Sequence, residues 1–471
     1  MTKIETNLIK IKSGLEKAAL AVASTMGAAG RPVIIVDEDR KIRFTKDGVS
    51  VAKSIKLEDP LEDIGAQIVI SAANKTVEEV GDGTTTCSLL LYSFYNDFLK
   101  SGESPSVYIK KYDKEVERII ELIENKSIPV ESLKQVKDIA SISANSTKIG
   151  ELFEDIYDKV GFDSMVQLEN SRISTETYFE EVRGLEFDEG YLHPAFMTNK
   201  DTEKVEYENV YIHISTEPIK TIEDTELAKI INASIKTETP MLIIAPSYTD
   251  SVIRTLTMNK INSGLQIAAM QTPGYGYAVT KNMEDITAFL SEDNMVDRIV
   301  MSANKTIIYN EDTPNLEAHL VKLDTMVDNA IEEYDAMDYK NRYFKLKQST
   351  AIIYVGGQTK DIQREEYDRV EDAIGSVTSA IKGGFSKGAG VALKEVGGIL
   401  HSVISAPYNK ILSNGGFTNT SVPINTKTGT PIKDFINEGI IDATPVIVNA
   451  LRNSWASTKL LINTNYVVYN N

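Results

Sequence analysis

The run Gly81-Asp82-Gly83-Thr84-Thr85-Thr86 carries the residue types that can grip a phosphorylated ligand. Two glycines let the backbone turn sharply and approach a ligand closely, while three hydroxyls and a fresh helix N-terminus offer donors to phosphate oxygens. A carboxylate among such donors repels phosphate unless a divalent cation lies between them. Mg²⁺ is typically held by one or two carboxylates plus phosphate oxygens, which makes Asp82 the candidate cation ligand. Taken alone, the same six residues also describe a Gly-rich turn between helices with threonine caps. No G-x-x-x-x-G-K-[ST] stretch occurs, so this is not a Walker-type phosphate loop.

The elements on either side must position that run. Leu61, Ile64, Ile68, Ala72, Ala73, Val77 and Val80 recur at helical spacing and stop at Gly81, predicting a helix over 61–80. A second helix over 84–100, with Leu89, Leu90, Leu91, Phe94, Phe98 and Leu99, is apolar enough to be interior. Cys87, the only cysteine, falls inside it and reads as a small buried residue, not a nucleophile. Ahead of these helices, Pro32–Val36 and Lys41–Thr45 flank the polar residues Asp37, Glu38, Asp39 and Arg40 as a β-hairpin. Short β-rich runs at 210–214, 241–245, 298–301 and 351–355 alternate with helical segments, which predicts an α/β domain inserted into a helical one. Glycines mark its edges at Gly184 and at Gly356-Gly357, and helix returns from about residue 361.

Composition bounds the function. A chain of 471 residues exceeds what one core normally serves, so two or three domains are expected. A net charge of −18 disfavours binding to nucleic acid or to a membrane through charge, and no stretch approaches the roughly 20 apolar residues a bilayer span needs. The opening residues Met1 to Glu5 lack the basic and apolar regions of a signal peptide, and one cysteine allows no intrachain disulfide; both point to the cytoplasm. The histidines, at 193, 213, 319 and 401, have no metal-ligand spacing.

Seven segments, in this order and spacing, resemble a bacterial-type (group I, GroEL-like) chaperonin. They are Thr25-Met26-Gly27, Phe44 to Val51, Gly81 to Thr86, Ile142 to Ser146, Gly184 to Phe196, Val370 to Ala373 and Glu438 to Asp442. The sequence between them has diverged and the chain is shorter than usual members, which suggests a bacteriophage or otherwise specialised origin. The resemblance implies a multidomain α+β fold. Its mainly helical equatorial domain would be built from 1–129 and 385–471, a small intermediate domain from 130–183 and 357–384, and an inserted α/β apical domain from 184–356. Pro129 and Gly384 then match one hinge, and Gly184 and Gly356 the other.

The resemblance also assigns roles. Gly83, Thr84, Thr85 and Thr86 match phosphate contacts and Asp82 a Mg²⁺ ligand. Thr25 and Gly27 match a second phosphate-touching turn, and Lys46 a residue whose surroundings also bind potassium. Asp372 matches the carboxylate that orients or deprotonates the attacking water, with Asp47 assisting. Gly388, Ala389, Ile440 and Asp442 match the nucleoside side, where the family usually has Gly in place of Ala389. In the apical segment Tyr191, Phe196, Leu227, Ile231, Ile253, Leu256 and Met258 match an exposed apolar surface for non-native protein clients. For each of these the alternative reading, an ordinary amphipathic core face, stays open.

The expected activity is that of a Mg²⁺-dependent ATPase that folds proteins within a homo-oligomeric ring of seven subunits, with a co-chaperonin as a further partner. A chaperonin-derived scaffold for one client, with little turnover, is the alternative; the retained Asp47, Asp82 and Asp372 favour the ATPase.

Overall fold

A computed structural model describes residues 2–5, 8–36, 40–162, 164–171, 173–200, 202–223, 225–274, 276–330, 332–347, 349–418, 420 and 422–470. The chain forms two compact units, one of residues 1–162, 168–179 and 353–471, the other of 163–167 and 180–352.

The first unit is mainly helical. Asp59 caps the helix Pro60–Val80 by accepting from the N–H groups of Leu61 and Glu62, Pro60 occupies its first turn, and Gly81 ends it in the left-handed conformation at φ 76°. Helix Thr84–Ser101 follows at once. Cys87, Leu90, Leu91 and Phe94 are buried in it, while Leu99 near its end is exposed. The distant helix Thr444–Ile462 completes this core. The Phe94 and Trp455 rings lie 5.1 Å apart, and Asn453 donates to Glu79 at 2.8 Å. The two ends of the chain therefore share one apolar core, which sequence pattern by itself does not reveal.

The expected hairpin forms from Val33–Val36 and Ile42–Thr45, paired from Val33 with Thr45 to Val36 with Ile42. Its expected turn residues Asp37 to Asp39 lie outside the described residues. Ile34, Val36, Ile42 and Phe44 on it are exposed. Strands Thr2–Glu5 and Val467–Asn470 make a separate antiparallel pair.

In the same unit the long helix Lys360–Gly383 is capped by Thr359 and packs against helix Leu133–Ser143. The two chain crossings beside it are tied backbone to backbone, Ile128 N–H to Phe385 O at 2.9 Å and Phe385 N–H to Ile128 O at 2.8 Å.

The second unit is built on a mixed sheet of eight strands. Their order is Met165–Asn170, Ser349–Val355, Tyr178–Phe187, Thr306–Tyr309, Met295–Met301, Val205–Ile214, Met241–Ala245, Ile267–Gln271. The last three pair in parallel and alternate with helices, as the sequence pattern predicts. Met241–Ala245 is buried on both faces and is accordingly an unbroken apolar run.

This packing corrects the reading of the client surface. Phe196, Leu227, Ile231 and Leu256, expected to be exposed, belong to the core against this sheet. On helix Glu226–Thr237 the stripe Leu227, Ile231 and Ser234 turns inward; on helix Asp250–Ser263 Val252 and Leu256, four residues apart, do the same. Tyr191 packs against the core, half-buried, and Ile253 is also half-buried. Met258 is exposed as expected, and Ile235 and Ile261 join it on the outward faces. Deeper in this unit Asp285 is clamped among three helices. Arg342 grips both its oxygens at 2.9 and 2.7 Å, and His319 Nε2 lies 2.7 Å from Oδ1.

Candidate functional site

A cavity of about 500 Å³ opens in the first unit, and the chemistry-bearing segments converge on it from far apart in sequence. Asp82, Gly83, Thr85 and Thr86 line one wall. Gly83, at φ 99°, occupies the cap position of helix Thr84–Ser101, so no side chain caps the N–H groups of its first turn, and Gly83, Thr85 and Thr86 line the cavity. Thr84 is the first residue of that helix, and its side chain is buried away from the wall.

Lys46 and Asp47 face the same cavity from the end of the hairpin. Asp47 also caps helix Gly48–Ser54, accepting from Val49 N–H at 2.9 Å and Ser50 N–H at 2.6 Å. That cap orders the side chain without using all the lone pairs of a carboxylate. Thr25 and Gly27 come from the turn after the first long helix. The turn is held by Asn414, whose amide donates to Ala23 O at 3.0 Å and Met26 O at 2.9 Å, while the Thr25 hydroxyl donates to Val22 O.

Ala389, Ile440 and Asp442 also line the cavity. Asp442 lies in strand Ile441–Ala443, paired with Phe385–Lys387. Gly388 lies against Asp442, where an added Cβ would meet Asp442 Oδ1 at 2.9 Å. Ala389 sits at φ 56°, a left-handed conformation that costs a residue with a Cβ roughly 1–2 kcal/mol and favours glycine.

Asp372 enters from the long helix Lys360–Gly383, with Arg369 one turn before it and Ser376 one turn after. Sequence reasoning assigned no role to Arg369, Ser376 or Ser143, although all three line the cavity. Ser143 lies inside the matched Ile142 to Ser146 segment, and Arg369 and Ser376 share a helix face with Asp372, so helical spacing alone could have found them.

The electrostatics are those of a site short of positive charge. Burial pushes the Asp372 carboxyl well above the usual range, and the charges of Asp82, Asp47, Glu371 and Asp368 push it further. Asp82 is raised by burial and by Asp47, against the donors Ser376, Gly83 N–H and Ser143. Burial and the Asp82 charge lift Asp442 to about 6 against one backbone donor, and burial with Asp47 lifts Asp368 to about 6. Burial and the neighbouring Arg369 lower Lys46. Among the described residues no three His, Cys, Asp or Glu side chains form a metal cage. That donor set suits a Mg²⁺ ion held by a single carboxylate, water and phosphate oxygens.

A helical unit made from both chain ends, an inserted α/β unit and an acid-lined cavity at a Gly-Asp-Gly-Thr turn define the chaperonin class, and the chain belongs to the TCP-1/cpn60 chaperonin family, whose family model matches residues 19–403. Among solved structures it is similar to the chaperonin gp146 from the bacteriophage EL 2 (Pseudomonas aeruginosa), crystallised in the presence of ATP-BeFx. In crystal form II the TM-score is 0.69 at 23% identity, covering 98% of each chain. In crystal form I the TM-score is 0.65 at 23% identity, covering 98% of this chain and 97% of the other. The chain is thus a chaperonin with a multidomain α+β fold. Among the described residues no helix is long and apolar enough to cross a membrane.

Proposed function

We propose that the chain binds and hydrolyses ATP with Mg²⁺ at this cavity and uses the cycle to capture and release non-native polypeptides. The observation that carries the reading is the convergence of Asp47, Asp82 and Asp372 on one cavity beside an open helix N-terminus. Asp82 holds the cation, and the backbone of Gly83 and Thr84 and the hydroxyls of Thr85 and Thr86, with Thr25, Gly27 and Lys46, take the phosphates. Potassium would sit beside Lys46. Mg²⁺ supplies charge compensation for the phosphates when bound. Asp372, assisted by Asp47, aims the attacking water and receives its proton. A strongly raised carboxyl is a poor base until nearby positive charge lowers it, so the base becomes competent only in the loaded site. Gly388, Ala389, Ile440 and Asp442 form the nucleoside side.

The division into equatorial (1–129, 385–471), intermediate (130–183, 357–384) and apical (184–356) domains is part of the same reading. So is a ring of seven subunits in a cytoplasm, supported by the exposed hairpin residues Ile34, Val36, Ile42 and Phe44, whose strand edges favour pairing with a second copy. Clients, and a co-chaperonin, would meet the outward residues Ile235, Met258 and Ile261 and the half-buried Ile253. The test is Mg²⁺-dependent ATP hydrolysis by the purified protein, with rings sought by electron microscopy. Nucleotide binding without turnover would favour the dedicated scaffold over the ATPase.

A further inference from the structure

The long helix Lys360–Gly383 packs directly on the phosphate turn. Gly81 and Gly375 meet backbone to backbone. A Cβ on Gly81 would lie 2.4 Å from Gly375 Cα, and one on Gly375 would lie 2.5 Å from Gly81 O. Only two glycines allow that approach. It brings two serines of the helix onto the turn, Ser379 Oγ donating to Val80 O at 2.8 Å and Ser376 Oγ donating to Asp82 Oδ2 at 2.6 Å. Ser143, from helix Leu133–Ser143, donates to the same Oδ2 at 2.8 Å, and Gly83 N–H donates to Oδ1.

We propose that Ser376, seconded by Ser143, is a positioning residue for Asp82: the pair fixes the carboxylate so that one oxygen position, on Oδ1, is left for the cation. A carboxylate offers about four lone-pair sites. Three are filled by these donors, so Asp82 binds the ion through a single oxygen in a fixed direction. Ser376 is four residues after Asp372, on the same helix face. The contact that orients the cation ligand therefore also sets the depth at which Asp372 enters the cavity, and the two carboxylates move together. The inference rests on the reading of Asp82 as the cation ligand. Donors behind a metal ligand typically contribute 10- to 100-fold to metal affinity.

The experiment measures binding, not turnover. Affinity for a non-hydrolysable ATP analogue is determined by calorimetry across a Mg²⁺ titration and in EDTA, for the full-length wild type, Ser376→Ala, Ser376→Thr, Ser143→Ala and Asp82→Asn. Ser376→Ala is expected to raise the Mg²⁺ concentration needed for tight binding by about 10- to 100-fold. Its affinity in EDTA should stay at the wild-type value, and Ser376→Thr, which keeps the hydroxyl, should restore the Mg²⁺ response. Should Ser376→Ala fail to fold, Ser143→Ala carries the test, with a shift in the same direction. A normal Mg²⁺ response in both serine variants, with Asp82→Asn shifted, overturns the positioning role and leaves Asp82 as the ligand. A normal response in Asp82→Asn overturns the reading of Asp82 itself, and the proposal with it.

Discussion

Two aspartates, one buried in the second unit and one half-buried in the cavity of the first, have opposite surroundings. Asp285 in the second unit meets a bidentate Arg342 and His319; burial alone would raise its carboxyl, but these partners outweigh it and hold the carboxyl below its ordinary value. Asp372 in the first unit meets Asp82, Asp47, Glu371 and Asp368, and burial and like charge act together to raise it. A buried charge that is compensated belongs to the architecture. One that is left in conflict with its neighbours costs stability and marks a place where something else supplies the missing charge. The same contrast appears in the surrounding packing, an unbroken apolar sheet core in one unit and a polar cavity assembled from distant segments in the other.

The contrast is sharpest where the two aspartates are removed. Asp372→Asn is expected to lower the ATP hydrolysis rate by about 10²- to 10⁴-fold, the usual contribution of a positioned base, while nucleotide still binds. Without nucleotide the first unit should be no less protected from hydrogen exchange than in the wild type, because a like-charge conflict has been relieved. Wild-type turnover in the variant would remove Asp372 from the mechanism. Loss of protection around it would mean that its charge is structural after all.

Asp285→Ala should do the reverse. It strands Arg342 in the interior, and breaking a buried pair from one side typically costs about 3–5 kcal/mol. The protection of helices Tyr277–Phe289, Leu316–Asp328 and Glu333–Lys347 should fall, with nucleotide affinity unchanged. A variant as stable as the wild type would show that this triad contributes little.

The first unit was the more legible in sequence, for a physical reason. Gly81 and Gly83 need left-handed backbone, Asp82 has no place among phosphate donors without a cation, and helical spacing exposes both flanking helices. Those constraints are local. What escaped was set by packing between distant segments. The burial of helix Thr444–Ile462 against the N-terminal helices leaves no pattern in either segment. The reach of Ser376 to Asp82 depends on a glycine pair almost three hundred residues apart. In the second unit an amphipathic helix has one apolar stripe whether that stripe faces a core or a client, so Leu227, Ile231 and Leu256 could be read either way until the sheet beneath them was seen.

That ambiguity yields a third test. Ile231→Ser and Leu256→Ser are expected to cost about 2–5 kcal/mol each, as large-to-small changes in a packed core do. Met258→Ser and Ile261→Ser, on the outward face, should stay within about 0.5 kcal/mol and instead reduce suppression of aggregation of a denatured protein. Stable outward variants that suppress aggregation as well as the wild type would put the client surface elsewhere.

The smallest effect follows from proton linkage, and its sign differs between the units. In the first unit Asp442 and Asp368 are raised to about 6 from an unfolded value near 3.8. Between those values the folded state binds more protons than the unfolded state, so stability rises as the pH is lowered from 7 toward 4. In the second unit Asp285 is depressed, so its contribution is fully present above its unfolded value and is unchanged in this window. His213 on strand Val205–Ile214 is lowered from 6.5 by burial, so the unfolded state takes up its proton first and stability falls as the pH drops below that value. Hydrogen-exchange protection of the nucleotide-free protein at pH 5 and pH 7, corrected for the intrinsic rate, should therefore rise in the first unit, by roughly 1 kcal/mol for each of the two acids, and fall in the second. Mg²⁺ with a non-hydrolysable ATP analogue should erase the gain in the first unit, because the bound cation lowers the acids that conflict without it. His213→Gln should flatten the loss in the second. A change of the same sign in both units would break the comparison, since it would mean that the raised Asp442 and Asp368 in one unit and the lowered His213 in the other do not govern how each unit answers to pH.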